Sequence, residues 1–285
     1  MLETLINNQY GILSTGQKQI AEKLLNHPES YTMLTITEFS KKLGVSEASL
    51  TRFARALDFK GYHDFQGFLK EQLITQLSPK LKMKNSLEKR ATIKNRLQSE
   101  LQKDMESLVL ALQTINTDHF EQAVELLANA NRIYIVGLGV SKSLVSFLEF
   151  RLRRIGMERK ALTTGGHELL ERLLSIQPSD VLIAIGFQRN YEEIVTALDY
   201  VKEKQIPSIA IVENPLSPIA RKADVPITIK RGPRDQLNSL AVPISVCNAL
   251  MLELTLLKEE EAMNNMENLE FLTNQYKINL KENEK

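Results

Sequence analysis

Through roughly the first 130 residues, apolar side chains recur every three or four positions. Beyond that they gather into short runs separated by amphipathic stretches. The first regime predicts helices and the second predicts strands alternating with helices. Ile20, Ala21, Leu24 and Leu25 share one helical face behind the cap candidates Ser14 and Thr15, and Pro28 closes that helix. A second helix is predicted from Thr35, where Glu38 completes a capping box and Ile36, Phe39 and Leu43 point inward. It stops at Gly44, which adopts a left-handed backbone without steric cost. Ser46 then caps a third helix after a turn too short for anything but a sharp helix–helix angle, the plan of a helix-turn-helix. Leu50, Phe53, Ala54 and Leu57 fall at helical spacing and face the core. The segment Asp64–Leu77, with Phe65, Phe68, Leu69 and Leu73, closes this small domain.

Further along, Leu101, Met105, Leu108, Leu112 and Ile115 alternate spacings of four and three. That period predicts a helix laid along another helix, within the chain or across a dimer. Fewer than three heptads is too short for a free coiled coil. Thr117 caps a following helix with Phe120, Val124 and Leu127 inward. Buried strands are predicted at Arg132–Val136, Val181–Gly186, Ser208–Val212 and Val225–Ile229, with another near Glu158–Leu162. Helices fall between them at Ser141–Ile155, Glu168–Ser175, Tyr191–Lys204 and Leu216–Arg221. Strand–helix alternation implies an α/β fold, a mainly parallel sheet covered on both faces. Four ranges follow: an all-α helix-turn-helix domain at 1–79, a basic linker and connector helix at 80–116, an α/β/α sandwich at 117–258, and a polar tail at 259–285.

Composition narrows the class without naming a function. With 285 residues, 43% of them hydrophobic, and a single cysteine, the chain is no disulfide scaffold and suits a reducing, cytoplasmic setting. No apolar run reaches the roughly 18 residues of a membrane span. The net charge of +1 counts, taken whole, against a nucleic-acid binder. It is unevenly spread, however. Residues 1–79 are neutral, whereas residues 80–96 carry seven lysines and arginines against Glu88 alone. That stripe is either a nucleic-acid-facing connector or a solvated linker.

The third helix carries the first chemistry. Opposite its apolar face it presents Ala48, Arg52 and Arg55, flanked by Ser49 and Thr51. Small residues let a helix sit deep in the major groove, and arginine offers two parallel donors to guanine or a phosphate. Ser46 opens a helix terminus whose N–H groups suit a DNA phosphate, and Lys41, Lys42 and Lys60 complete the candidate DNA-contacting set. The alternative is a small helical bundle with exposed arginines.

The run from Ile36 to Tyr62, containing Gly44-Val-Ser-Glu-Ala-Ser-Leu-Thr-Arg-Phe-Ala-Arg-Ala-Leu-Asp-Phe-Lys-Gly-Tyr62, resembles the N-terminal domain of RpiR-type bacterial transcription regulators. It departs with Ser49 where threonine is usual and Asp58 where glycine is usual. Serine keeps the hydroxyl, and aspartate tolerates a left-handed backbone better than most residues.

In parallel sheets, ligands bind beyond the carboxyl ends of the strands. Two such ends stand out. At Val136-Gly-Leu-Gly-Val-Ser141 a glycine turn, Gly137 and Gly139, precedes Ser141 and a helix terminus with free N–H groups, which suits a phosphate. The same turn also serves plain helix–strand packing, and it is not a dinucleotide fingerprint. The second end is Gly186-Phe187-Gln188-Arg189-Asn190-Tyr191. These loops, with residues 216–224 and 238–250, resemble a sugar isomerase (SIS) domain, which RpiR-type regulators pair with the helix-turn-helix. Sugar-phosphate-holding SIS domains usually show Ser-x-Ser-Gly-x-Thr at this second end, and both serines and the glycine are absent. The stretch looks more like a Ser-Phe-x-Arg-Tyr variant in which Arg189 keeps its place. Arg189 either binds an anion in charge-assisted fashion, alongside Gln188 and Tyr191, or pairs with Glu192, Glu193 or a partner chain. Ser239 is an N-cap or a sugar contact.

For isomerase chemistry, His167 and Glu168 after Thr163-Thr-Gly-Gly166 are the candidates for a base, though a lone histidine opening a helix is commonly a cap or surface residue. No catalytic residue is assigned. No His/Cys/Asp/Glu cluster has metal spacing, no cofactor is implied, and Cys247 belongs to the core. The resemblance implies a DNA-binding regulator whose SIS domain senses a phosphorylated sugar. It would act as a dimer or higher assembly on a palindromic double-stranded operator, with no membrane partner. The competing expectations are an SIS-fold isomerase or lyase with an accessory module, and a regulator whose SIS domain only dimerises.

Overall fold

The computed structural model describes residues 2–26, 31–77, 79–189, 191–215, 217–233 and 236–283. Pro28, Leu216 and the side chain of Leu73, all used above, lie outside the described residues. The chain divides into two compact units, Met1–Lys94 with Pro233–Leu237, and Asn95–Gly232 with Asn238–Lys285.

The first unit is helical: α1 (Leu2–Gln9), α2 (Thr15–Asn26), α3 (Ile36–Leu43), α4 (Glu47–Ala56), α5 (Tyr62–Leu77) and α6 (Pro79–Ala91). Ser14, rather than Thr15, caps α2: its Oγ accepts the Gln17 N–H, and the Gln17 side chain accepts the Ser14 N–H. At α3 the capping box forms as expected, with Thr35 and Glu38 each satisfying the other's backbone N–H. Gly44 ends α3 at φ 72°, and Ser46 caps α4 through the Ser49 N–H at 3.2 Å. The departure at Asp58 stands in the same left-handed region, φ 66°, with its carboxylate accepting the Gln9 amide. Leu50, Phe53, Ala54 and Leu57 are all buried, with Phe39, Phe65 and Leu69, in one core.

The second unit runs α7 (Arg96–Thr114), α8 (Thr117–Ala128), β1 (Ile133–Gly137), α9 (Lys142–Arg154), β2 (Arg159–Leu162), α10 (His167–Leu173), β3 (Val181–Gly186), α11 (Glu192–Glu203), β4 (Ser208–Val212), α12 (Pro218–Lys222), β5 (Val225–Thr228), α13 (Ala241–Leu257) and α14 (Glu259–Asn283). The five strands are all parallel in the order β2-β1-β3-β4-β5. Strand periodicity sorts the side chains into two cores. Ile133, Ile135, Ile183, Ile185, Ile209, Ile211, Ile227 and Ile229 meet α8, α9 and α13 on one face. Tyr134, Val136, Leu182, Ala184, Ala210 and Val212 meet α10, α11 and α12 on the other.

Three local expectations change. Asn116, not Thr117, caps α8, because its side chain reaches the His119 N–H at 3.0 Å. The α7 seam is only partly used within the chain: Leu108, Ala111 and Ile115 join the core, whereas Leu101, Met105 and Leu112 are exposed. The segment expected as a polar tail is the helix α14, bent 98° from α13. It is tied down by buried Ala262 and by the Asn265 amide, which donates to the carbonyls of Arg153 and Arg154 at the end of α9. The Arg153 carbonyl also accepts the Gly156 N–H at 3.2 Å, so the asparagine adds a tie between the end of α9 and α14 to a C-terminus that is partly capped already. No single helix among the described residues is long and apolar enough to cross a membrane.

Candidate functional site

In the first unit, α4 buries one stripe and exposes the other. Ser46, Ala48, Arg52 and Arg55 are exposed, with Ser49 and Thr51 partly so, which is the face drawn from the sequence. The terminus is organised by a chain of hydroxyls. The Ser46 and Ser49 Oγ atoms lie 2.8 Å apart, and Arg52 Nη2 donates to Ser49 Oγ at 3.2 Å. Arg52 is thereby drawn back towards the helix N-terminus, the direction helical side chains favour. The Thr51 hydroxyl turns into its own helix, donating to the Glu47 carbonyl at 3.0 Å. Thr37 donates to the Glu47 carboxylate at 2.6 Å and so pins α3 to the first turn of α4. The Thr35 backbone N–H and hydroxyl hold the Glu38 carboxyl below the usual carboxylate range. Lys41, Lys42 and Lys60 are exposed, with Lys42 over the Tyr31 ring at 5.3 Å.

The basic stripe does not present all its charge to solvent. Lys82 is buried, and Lys84 pairs with Glu88 at 3.7 Å on α6. The stripe therefore lies in part on a helix with one buried lysine and one paired lysine.

In the second unit the carboxyl edge of the sheet brings most of the remaining candidates together, and alters what they do. Gly137 is needed for packing: a Cβ there would meet Val145 Cγ2 at 2.8 Å. Gly139 takes φ 59°, and a Cβ would lie 2.6 Å from the Tyr191 hydroxyl, so Tyr191 covers the turn. Two of the N–H groups at this turn are already paired. A 3-10 turn at Gly139–Ser141 precedes α9, where the Ser141 N–H donates to Leu138 and the Lys142 N–H to Gly139 and Val140. Ser141 is itself buried. The tight turn takes up these two donors because a 3-10 start pairs groups that an α-helical start leaves open.

In the next loop Gln188 is half-buried, Arg189 is exposed and Tyr191 packs against the α11 side of the sheet. Glu193 makes a contact not foreseen from sequence, accepting the Gly166 N–H at 3.1 Å beside the start of α10. Ser239 is exposed and stands one residue before Leu240, the N-cap of α13, where its Oγ accepts the Ala241 N–H at 3.0 Å. His167 and Glu168 are both exposed, and Glu168 faces Arg172 at 3.8 Å. Cys247 lies in the core, where burial pushes its thiol up to about 12.

A second group was also missed. Phe187, Glu213 and Arg231 follow the isoleucine-bearing faces of β3, β4 and β5, so alternation brings all three to one side of the sheet beyond its carboxyl edge. Arg231 lies over the Phe187 ring at 4.0 Å and pairs with Glu213 at 3.3 Å. The period-2 continuation past each strand end was the available signal. A separate cleft of about 670 Å³ lies at the opposite, amino edge, lined by Pro207, Asp224 and Val225 among others.

With this geometry in place, comparison with known proteins is informative. Residues 1–76 match the helix-turn-helix domain of the rpiR family, and residues 126–253 match the SIS domain. The chain belongs to the RpiR-type regulators. An HTH-type transcriptional regulator of Haemophilus influenzae is 24% identical over 257 residues, covering 87% of this chain and 86% of its own. The sugar isomerase domain of an RpiR transcription factor from Sphaerobacter thermophilus is 26% identical with a TM-score of 0.59, covering 62% of this chain and 99% of that one. The NanR protein of Vibrio vulnificus, solved with ManNAc-6P, is 19% identical with a TM-score of 0.59, covering 96% and 98%. In this RpiR-type chain, α3 and α4 lie within the helix-turn-helix match, and the five-stranded unit is the SIS domain.

Proposed function

We propose that this RpiR-type regulator binds a palindromic operator as a homodimer in the cytoplasm and changes its DNA affinity when a phosphorylated sugar occupies the carboxyl edge of its SIS sheet. Its targets on this reading are genes for the use of that sugar or amino sugar. The observation that carries the reading is the Ser46–Ser49–Arg52 chain on an otherwise small-residue helix face, in the same polypeptide as a parallel sheet whose order reverses between β1 and β3. Ligands favour that reversal point in open parallel sheets. The ManNAc-6P held by the Vibrio vulnificus protein supports a sugar phosphate as the class of ligand. The DNA-facing set is Ser46, Ala48, Ser49, Thr51, Arg52 and Arg55, with Lys41, Lys42 and Lys60. The effector-facing set is Gly137, Gly139, Ser141, Gln188, Arg189, Tyr191 and Ser239.

Self-association is supported by α7, on which Leu97, Leu101, Met105, Val109 and Leu112 remain exposed, the last at 87%. A row of large apolar side chains on one helix is the mark of an interface. A non-enzymatic role is supported by the exposure of His167 and Glu168, since a general base needs a site that tunes it. A regulator whose SIS domain only dimerises is the second reading, favoured by the Tyr191 hydroxyl over Gly139 and by the 3-10 turn that takes up the Ser141 and Lys142 N–H groups.

The test selects an operator from randomised duplexes with the full chain and then measures its affinity at fixed salt with and without a panel of sugar phosphates. A shift with one of them is the expected result. No selected sequence would overturn the DNA reading, and no shift with any sugar phosphate would favour the dimerisation-only reading.

A further inference from the structure

Glu213 and Arg231 are a buried ion pair with something left over. Their side chains are only 8% and 5% exposed, and among the described residues Glu213 Oε1 and Arg231 Nε are buried without a hydrogen-bond partner. Buried polar atoms of that kind are costly, and each requires an explanation. Packing alone does not supply one. An ion pair serving the fold is expected to use its remaining lone pairs and protons, and among the described residues this one uses a single hydrogen bond, Arg231 Nη2 to Glu213 Oε2 at 3.3 Å. The place in the fold does supply one. Glu213 immediately follows β4, Phe187 immediately follows β3, and Arg231 lies just past β5, so the pair sits at the carboxyl edge of the sheet. It lies on the same face as α9 and α13, whose starts carry Ser141 and Ser239. The Arg231 guanidinium carbon lies 4.0 Å from the Phe187 ring centroid, a contact that helps hold the guanidinium in place.

We propose that Glu213 and Arg231 form the sugar-reading end of the effector site and recognise a neutral hydroxyl, distinct from whatever group holds the phosphate. The inference rests on the sugar-phosphate reading above and deepens it. The chemistry follows from the two leftover atoms, one an acceptor and the other a donor. A hydroxyl donates to the first and accepts from the second, so it satisfies both at once. A carboxylate at this position would face Glu213, and an ammonium would face Arg231. The pair is itself neutral in sum and has no excess charge for a second phosphate. The ligand class is therefore a monophosphorylated polyhydroxylated sugar, with a free hydroxyl at the end remote from the phosphate, in preference to a bisphosphate or a sugar acid.

The experiment is titration calorimetry on the full chain with hexose, N-acylhexosamine and pentose monophosphates and with inorganic phosphate. Each is measured with the native protein and with a Glu213→Leu/Arg231→Met double variant. Replacing a buried ion pair by apolar groups of similar volume is commonly neutral or stabilising, so the double variant is expected to keep its Tm. The native protein should bind one sugar phosphate at least about tenfold more tightly than inorganic phosphate, and the variant should bind the two alike. A variant that keeps the discrimination overturns the inference and makes the pair structural. Equal binding of sugar phosphate and inorganic phosphate by the native protein also overturns it, while leaving a phosphate effector in place. No binding of any sugar phosphate to the native protein removes the effector reading itself, and the inference with it. Deoxy analogues of the best sugar, one hydroxyl at a time, give a test free of any folding effect. One of them should lose about tenfold or more in affinity, and affinity unchanged across the whole series overturns the inference.

Discussion

Arg52→Ala should abolish sequence discrimination while leaving the fold intact. Arg52 is exposed on α4, opposite Leu50, Phe53 and Ala54, so its removal touches no core contact. Stability should change by no more than about 0.5 kcal/mol. A bidentate arginine–guanine pair is worth about 1–3 kcal/mol of discrimination, and a dimer on a palindrome loses it twice. The expected loss is therefore about 2–6 kcal/mol, or roughly 30-fold at the least. The structure adds a graded companion. Ser49 Oγ accepts from Arg52 Nη2 at 3.2 Å, and Ser49→Ala removes that tether. It leaves the backbone N–H of residue 49 to satisfy Ser46 Oγ, so the helix cap survives. A partly exposed hydrogen bond of this kind is worth about 0.5–1 kcal/mol, so Ser49→Ala should cost about two- to fivefold per half-site. Ser49→Thr, which keeps the hydroxyl, should restore affinity. The assay is fluorescence anisotropy at one salt concentration with the selected operator and a scrambled duplex. Equal losses on both duplexes would make Arg52 a phosphate contact instead of a base reader. No loss on either would remove α4 from the interface.

Three further outcomes follow from the geometry. Gly44→Ala places a Cβ in open space but at φ 72°, so only backbone strain of about 1–2 kcal/mol should appear, as a lower transition for the helical unit in calorimetry. Cys247 is buried with its thiol raised to about 12, so alkylation of the native protein at pH 8 should be far slower than after unfolding. The sign of its linkage is fixed: the folded state holds the proton longer, so this contribution to stability is intact below the ordinary thiol range and is lost as pH rises towards 12. Met105→Glu, on a residue 65% exposed, should change the stability of the protomer by no more than about 0.5 kcal/mol yet lower the mass seen by light scattering. An unchanged mass would remove α7 as a self-association surface.

Local signals were legible where a short stretch of chain decides them. The Thr35–Glu38 box, the left-handed Gly44, the Ser46 cap and the buried face of α4 all depend on residues three or four apart, and all were readable. Four of the five strands were readable because buried parallel strands are continuous apolar runs. β2 was the weak one, since only Leu162 of its four residues is fully buried. What failed depends on distant partners. The α7 heptad announced an apolar seam without saying which part was already used by the core. Nothing local ties Asn265 to the carbonyls of Arg153 and Arg154, more than a hundred residues away. The glycine turn at 137–139 is consistent in sequence with either an anion loop or helix–strand packing, and the Tyr191 hydroxyl that covers it arrives from another strand end. Glu213 and Arg231 were missed for the same reason, since their pairing exists only once β4 and β5 lie side by side.

These contacts set a scale for control of DNA binding by a ligand. To carry a two-state equilibrium from 1:99 to 99:1, a ligand must favour one state by about 5.5 kcal/mol. In a symmetric dimer with one site per protomer, each site needs to supply about half of that. The amount is modest beside what the carboxyl edge withholds. Hydrogen bonds to charged groups contribute about 1.5–3 kcal/mol each, and the Glu213–Arg231 pair leaves two such groups unused. Total affinity does not decide the matter, because a ligand bound equally by both states shifts nothing. What decides it is whether one arrangement of the edge loops presents Glu213 Oε1 and Arg231 Nε to the ligand and the other keeps them enclosed. The phosphate, held by groups common to both arrangements, would then provide affinity, and the sugar hydroxyl would provide the switch. A sugar phosphate and its deoxy analogue should accordingly differ more in their effect on operator affinity than in their own binding to the DNA-free protein.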